Sequence, residues 1–250
     1  MAGLKLIAGR AAPKARAFTL TTFHPPFSAN MEYSRANPSP RYRHLNQQYR
    51  SLHADGDRRL SMPAESVFPG KSLFPHIYRI KHLIEATGSA NLLDYGCGEG
   101  FQYNPLRAPA YGLQAGDTLM DLWDIDNVHL YDPCNPPFDV LPDERFDGVI
   151  STDVLEHCPE DDLPWILNEI FGLAKKFVFA NVACFPARRR LPDGENAHCT
   201  IQGVDWWKQR LGASAARHPK IIWEVWLQYL DPDQTEVKIN EVRIGNLESD

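Results

Sequence analysis

Residues 92–100 read LLDYGCGEG, a short apolar run driving straight into alternating glycines. An apolar segment of this length that ends in glycine is the signature of a buried strand. The glycines leave no side chain where the backbone must turn tightly or where a ligand would lie against the main chain. Working outward, three further strands are expected at 128–132 (VHLYD), 146–151 (FDGVIS) and 177–182 (FVFANV). Helices are expected between and before them. One starts at Ser72, with Ser72 as cap, Pro75 in the first turn, Leu73, Ile77, Ile80 and Ile84 on one face, and Gly88 at its end. A second spans 161–176, with Leu163, Ile166, Ile170 and Leu173 at helical spacing, acids at its start and two lysines at its end.

Strands alternating with helices imply a mostly parallel, doubly wound α/β sheet covered on both faces. The end of the chain departs from that rule. Residues 221–230 (IIWEVWLQYL) and 236–244 (EVKINEVRI) flank a DPDQT turn, so the last two strands should pair antiparallel.

At 250 residues and 43% hydrophobic, the chain can bury one sizeable core. The expected division is a tail over 1–30, a partly ordered extension over 31–71 that is interrupted by Pro and Gly, and an α/β domain over 72–250. The tail carries Lys5, Arg10, Lys14 and Arg16 with no acid before Glu32. That composition resembles a transit peptide, but it lacks a clear cleavage signal, and a disordered tail or a translation start at Met31 is the simpler reading. A formal net charge of −6 offers no footprint for a long polyanion. Cys97, Cys134, Cys158, Cys184 and Cys199 are odd in number and form no C-x-x-C pair, which argues against a disulfide framework or zinc knuckle and for a reducing cytoplasm. No stretch approaches the roughly 18–20 apolar residues of a membrane span.

The glycine loop lacks the third glycine of the G-x-G-x-x-G dinucleotide fingerprint, because Phe101 stands there. It resembles instead motif I of the class I S-adenosylmethionine (SAM)-dependent methyltransferases, an acid, one residue, then G-x-G-x-G after the first strand. The resemblance implies a seven-stranded Rossmann-like sheet ending in an antiparallel hairpin. It places Gly96, Cys97 and Gly98 against the methionine part of SAM, with Asp94 ordering the loop or reaching the amino group. Asp132, at the tip of the second strand, would take both ribose hydroxyls, since a carboxylate offers two oxygens to two donors. Asp132 lies 38 residues beyond Asp94, more than the roughly 20 usual in such folds, so an inserted helix is expected around TLMDLWDI. FDGVISTDVLEH, 146–157, resembles motif IV of the same superfamily, in the form frequent among small-molecule methyltransferases. Ser151 and Asp153 would complete the cofactor wall there.

Methyl transfer to oxygen or nitrogen needs position and removal of a proton. Candidates for the base are Asp153, Glu156, His157 and His198; Asp153, His157 and His198 are the expected catalytic residues. The segment 187–207, in which Arg188, Arg189 and Arg190 are suited to an acidic substrate group, reads as a loop over the site, and Trp206 and Trp207 as packing residues. The expected partner is a small-molecule acceptor, with no membrane partner and with nucleic acid disfavoured. Two other readings stay open. Asp153, Glu156, His157 and His198 have the ligand types for a divalent cation and resemble those of small-RNA 3′-terminal 2′-O-methyltransferases, although Asp153 stands where that family has Glu; on balance no metal is assigned. The chain is otherwise a catalytically silent SAM-binding adaptor.

Overall fold

The computed structural model describes residues 33–230 and 239–247. The tail over 1–30 and the DPDQT turn therefore lie outside the described residues. Five helices and six strands occur in the order α1 (Pro40–Asp55), α2 (Ile77–Thr87), β1 (Asn91–Tyr95), α3 (Leu119–Trp123), β2 (Asn127–Tyr131), β3 (Phe146–Thr152), α4 (Leu163–Leu173), β4 (Ala174–Ala183), α5 (Val204–Ala215), β5 (Ile222–Leu230) and β6 (Ile239–Gly245), among the described residues. Among the described residues the sheet runs β2-β1-β3-β4-β5-β6, one strand fewer than the seven expected. All pairs are parallel except β5 with β6, which form the anticipated antiparallel edge.

Because successive side chains of a strand point to opposite faces, each central strand feeds two cores. Leu93, Val149 and Val178 pack with α4 and α5, including Leu163, Ile166 and Trp207. Their neighbours Leu92, Ile150, Phe177 and Phe179 pack with Ile80, Leu83 and Ile84 of α2 and with Trp123 of α3. The inserted helix expected before the second strand is α3, started by a capping box between Thr118 and Asp121. Trp207 is fully buried against the first face, and Trp206 packs edge-on to it.

Two local expectations are corrected. Ser72 does not cap a helix: its hydroxyl bonds the carbonyl of Thr152 at 3.3 Å, a 3-10 turn over Lys71–His76 comes first, and the α-helix starts at Ile77. Pro75, which has no N–H to give, sits in that tighter turn. The helix over 161–176 stops at Leu173, and Lys175 and Lys176 open β4, where Lys176 pairs with Asp147 at 2.9 Å. Within the extension, residues 40–55 form the longest helix among those described.

That helix is legible in physical terms. Ser39 accepts the N–H of Tyr42 and Pro40 occupies the first turn, the favoured start of a helix. Ser39 also donates its N–H and hydroxyl to the two oxygens of buried Asp162, at 3.0 and 2.5 Å, which pins α1 to the start of α4. Leu45 and Leu52 close a third apolar cluster with Val67, Leu191 and Ala197. The described residues cluster as one compact unit.

Candidate active site

Order in the sheet reverses between β1 and β3, each of which continues parallel to the other but with β2 and β4 on opposite sides. Ligands of open α/β sheets sit outside the carboxyl ends of the strands at such a switch point. A cavity of about 600 Å³ opens there, within the range of small-ligand sites. Its floor is the glycine loop after β1 and the Thr152-Asp153-Val154 turn after β3; α1 and the loop over 185–198 form the far wall.

Gly96 and Gly98 have φ of +94° and +60°, which residues with a side chain rarely adopt. A Cβ at Gly96 would stand 2.4 Å from Val154 Cγ2, and one at Gly98 would stand 2.5 Å from the Phe68 carbonyl oxygen. The loop is thus shaped by close approach of β3 and of the extension. Cys97 lines the cavity with its thiol buried, and burial pushes that thiol well up from its ordinary range.

Asp94 lies behind the loop rather than on the cavity wall. Its Oδ2 accepts Gln102 Nε2 at 3.0 Å and the Tyr103 hydroxyl at 2.9 Å, so it orders the loop. Its Oδ1 is buried without a partner, as is Oε1 of Gln102, which does line the cavity. Burial raises the Asp94 pKa to about 6, against the pull of those two hydrogen bonds.

Asp132 follows β2 and lines the cavity, its Oδ2 accepting the Gly98 N–H at 3.1 Å and its Oδ1 the Cys134 N–H at 2.9 Å. Burial raises its pKa, and the charge of His53 together with those N–H groups opposes the rise. His53, from α1, is a site residue that sequence reasoning missed. It lines the cavity, its Nδ1 sits 2.6 Å from Glu99 Oε1, and its ring packs on Phe68. Ser151 is not brought to the cavity: it is fully buried and its hydroxyl is spent on the Tyr95 carbonyl at 2.9 Å.

Across the cavity stand Asp153, His157 and His198, which the fold does bring together. Asp153 has φ +62°, a strained conformation for a residue with a side chain, and 45% of its side chain is exposed. His157 follows on a 3-10 turn, Leu155–His157, and His198 comes from the loop after β4. The two segments are stitched together because the Glu156 carbonyl accepts the N–H groups of Cys199 and Thr200, both at 3.0 Å, and Thr200 Oγ1 bonds the Cys158 carbonyl at 2.7 Å. Asn196 braces the same loop by exchanging hydrogen bonds with the Ala187 backbone. His157 Nδ1 contacts the Ala197 carbonyl at 3.0 Å and the Tyr49 hydroxyl at 2.8 Å. Burial pushes the His157 pKa down to about 4, with Asp153 opposing and His198 adding to the fall, so the ring is neutral at pH 7. Glu156 is fully buried; burial first, then the Asp153 charge, raises its pKa well above the carboxylate range.

The three arginines divide. Arg189 pairs with Asp57 at 3.4 Å and bonds the Val67 carbonyl, and Arg190 bonds Gly194, whereas Arg188 is exposed at the cavity wall with no ion pair among the described residues.

No described helix is long and apolar enough to cross a membrane. Neither curated proteins nor solved structures give a match to the chain. Residues 93–177, from β1 into β4 and including the glycine loop, Asp132 and the Asp153–His157 turn, match the family model described as "Methyltransferase domain". Together with the parallel sheet and its antiparallel edge, that match supports assignment of the chain to the class I SAM-dependent methyltransferase superfamily.

Proposed function

We propose that the protein transfers a methyl group from SAM to an oxygen or nitrogen nucleophile of a small-molecule acceptor. The observation that carries this reading is one cavity with two dissimilar walls, a glycine loop with Asp132 on one side and Asp153, His157 and His198 on the other. The first wall fits SAM. Asp132 offers carboxylate oxygens to ribose hydroxyls, and the partnerless Oε1 of Gln102, on the cavity wall with Asp94 behind it, is an acceptor suited to an amino group. SAM supplies an electrophilic methyl on a sulfonium. The residues of the second wall hold the acceptor in line and draw the proton from its nucleophile. Arg188 is placed to meet an anionic group of the acceptor. Five unpaired cysteines support a reducing, cytoplasmic setting.

The test is incubation of the full chain with radiolabelled SAM and a metabolite extract, followed by separation of small molecules, RNA and protein. Label in the small-molecule fraction is the expected result. Label confined to RNA refutes the acceptor class, and calorimetric SAM binding with no labelled product in any fraction identifies a silent binding module.

A further inference from the structure

Asp153, His157 and His198 each present one ligand atom, and these atoms all lie within 4.8 Å of one another. The two imidazoles meet edge to face, with centroids 4.7 Å apart at 89°. Their hydrogen bonds determine which nitrogens are free. His157 Nδ1 lies 3.0 Å from the Ala197 carbonyl and His198 Nδ1 lies 2.6 Å from the Phe185 carbonyl. A carbonyl only accepts, and Tyr49, also 2.8 Å from His157 Nδ1, commits its hydroxyl hydrogen to the Ala197 carbonyl, so both Nδ1 atoms carry hydrogen and both Nε2 atoms of the neutral rings present lone pairs. Backbone carbonyls holding histidines in this tautomer are the usual second layer of a metal site.

His198 Nε2 is 3.8 Å from Asp153 Oδ1, too far for a hydrogen bond. An ion with bonds of about 2.1 Å separates neighbouring ligand atoms by about 3.4 Å in tetrahedral geometry, so the trio closes on one with small side-chain rotations. Glu156 supplies an independent observation. It is fully buried, its Oε1 accepts the Ala183 N–H, and its carboxyl adjoins that of Asp153. Asp153, the adjoining Glu156 and two imidazole nitrogens thus gather four electron-pair donor groups at one point of the cavity wall.

We propose that Asp153, His157 and His198 bind a divalent first-row transition ion on the acceptor wall of the cavity, with Glu156 as the outer carboxylate. Two nitrogens and one oxygen favour zinc, cobalt, manganese or iron over magnesium or calcium, which take oxygen ligands. Three protein ligands leave open positions toward the cavity. On the methyltransferase reading, on which this clause alone rests, those positions receive the acceptor's oxygen and lower the pKa of its hydroxyl.

The full chain, stripped by chelator and dialysed, is titrated with cobalt(II) while its visible absorption is followed, with SAM affinity measured calorimetrically on the same samples. The expected result is one equivalent bound, displaced by zinc and untouched by millimolar magnesium. His198→Gln and Asp153→Asn should each weaken cobalt binding by about 100-fold. His44→Ala, in the surface group His44, Asp193 and Glu195 whose ligand atoms also converge, should leave it unchanged. Thermal unfolding verifies that the variants are folded; should His198→Gln fail to fold, Asp153→Asn decides. No cobalt uptake by the parent chain, uptake lost in His44→Ala, or uptake indifferent to His198→Gln and Asp153→Asn overturns the site. Failure of the parent chain to bind SAM refutes the methyltransferase reading and leaves the cobalt result to stand or fall by itself.

Discussion

Replacing Asp94 by Asn tests whether a buried carboxylate has been retained for ligand binding at the expense of stability. Asp94 is fully buried on β1, with both of its hydrogen bonds on Oδ2 and none on Oδ1. Burial raises its pKa from 3.8 to about 6. The folded protein therefore holds this proton more tightly than the unfolded chain, and the contribution of the group to stability falls as pH climbs from about 4 through 6. Two decades of proton affinity at about 1.4 kcal/mol each amount to roughly 3 kcal/mol at neutral pH. An Asn oxygen can accept from Gln102 and Tyr103 while carrying no charge to desolvate. Urea unfolding of the ligand-free protein should show Asp94→Asn more stable than its parent by up to ~3 kcal/mol at pH 7.5, with the advantage gone at pH 4. Calorimetry should show the converse for the cationic cofactor: SAM affinity of the parent falls below pH 6, and the Asn variant binds more weakly at pH 7.5 with a flatter profile. An equal stability difference at both pH values refutes the reasoning, because the charge would then not be the cause.

Three further outcomes can be measured. Gly96→Ala places a Cβ 2.4 Å from Val154 Cγ2 at φ +94°; it should cost about 1–3 kcal/mol and abolish SAM binding, and adding Val154→Ala should restore only part of the stability, since the backbone strain persists. A melting temperature equal to the parent's would contradict this. His76, which burial and Arg79 push down to about 4, gives stability that is present above pH 6.5 and is lost as pH falls toward 4; about 3 kcal/mol is at stake, and His76→Gln should flatten acid unfolding over that window. Ser39→Ala removes the cap of α1 and its bond to Asp162; a loss of about 2 kcal/mol should appear together with weaker SAM binding, and unaltered SAM affinity would show that α1 does not shape the pocket.

The parts of the fold that could be read from sequence are those in which local and global preferences agree. β1 (Asn91–Tyr95) was legible because its apolar run is bounded by glycines, and α3 because the 38-residue gap from Asp94 to Asp132 called for an inserted helix. α1 was missed although Ser39-Pro40 announces it, since its buried residues, Leu45 and Leu52, are outnumbered by polar ones and its apolar stripe is thin. The glycine loop, Asp132 and the Asp153–His157 turn were legible because each sits at a strand end within one continuous stretch. The convergence of His198 on His157 was foreseen only by residue type, because it depends on the Glu156 carbonyl accepting N–H groups from 43 and 44 positions further along the chain. His53 was invisible for the same reason. Ser151 was misplaced because it still lies inside the buried strand, bonded to the Tyr95 carbonyl, and the cavity opens only at the strand end, Thr152 and Asp153.

The Phe68 carbonyl over Gly98, and the Tyr49 and His53 side chains of α1, make the extension a structural half of the pocket. Any recombinant fragment beginning at the first strand would keep every residue of the family's motif region and still present an open trough. For the same reason, transplanting an acceptor preference between this chain and another would require exchanging two segments of sequence at once, the one ahead of the glycine loop and the one around His198.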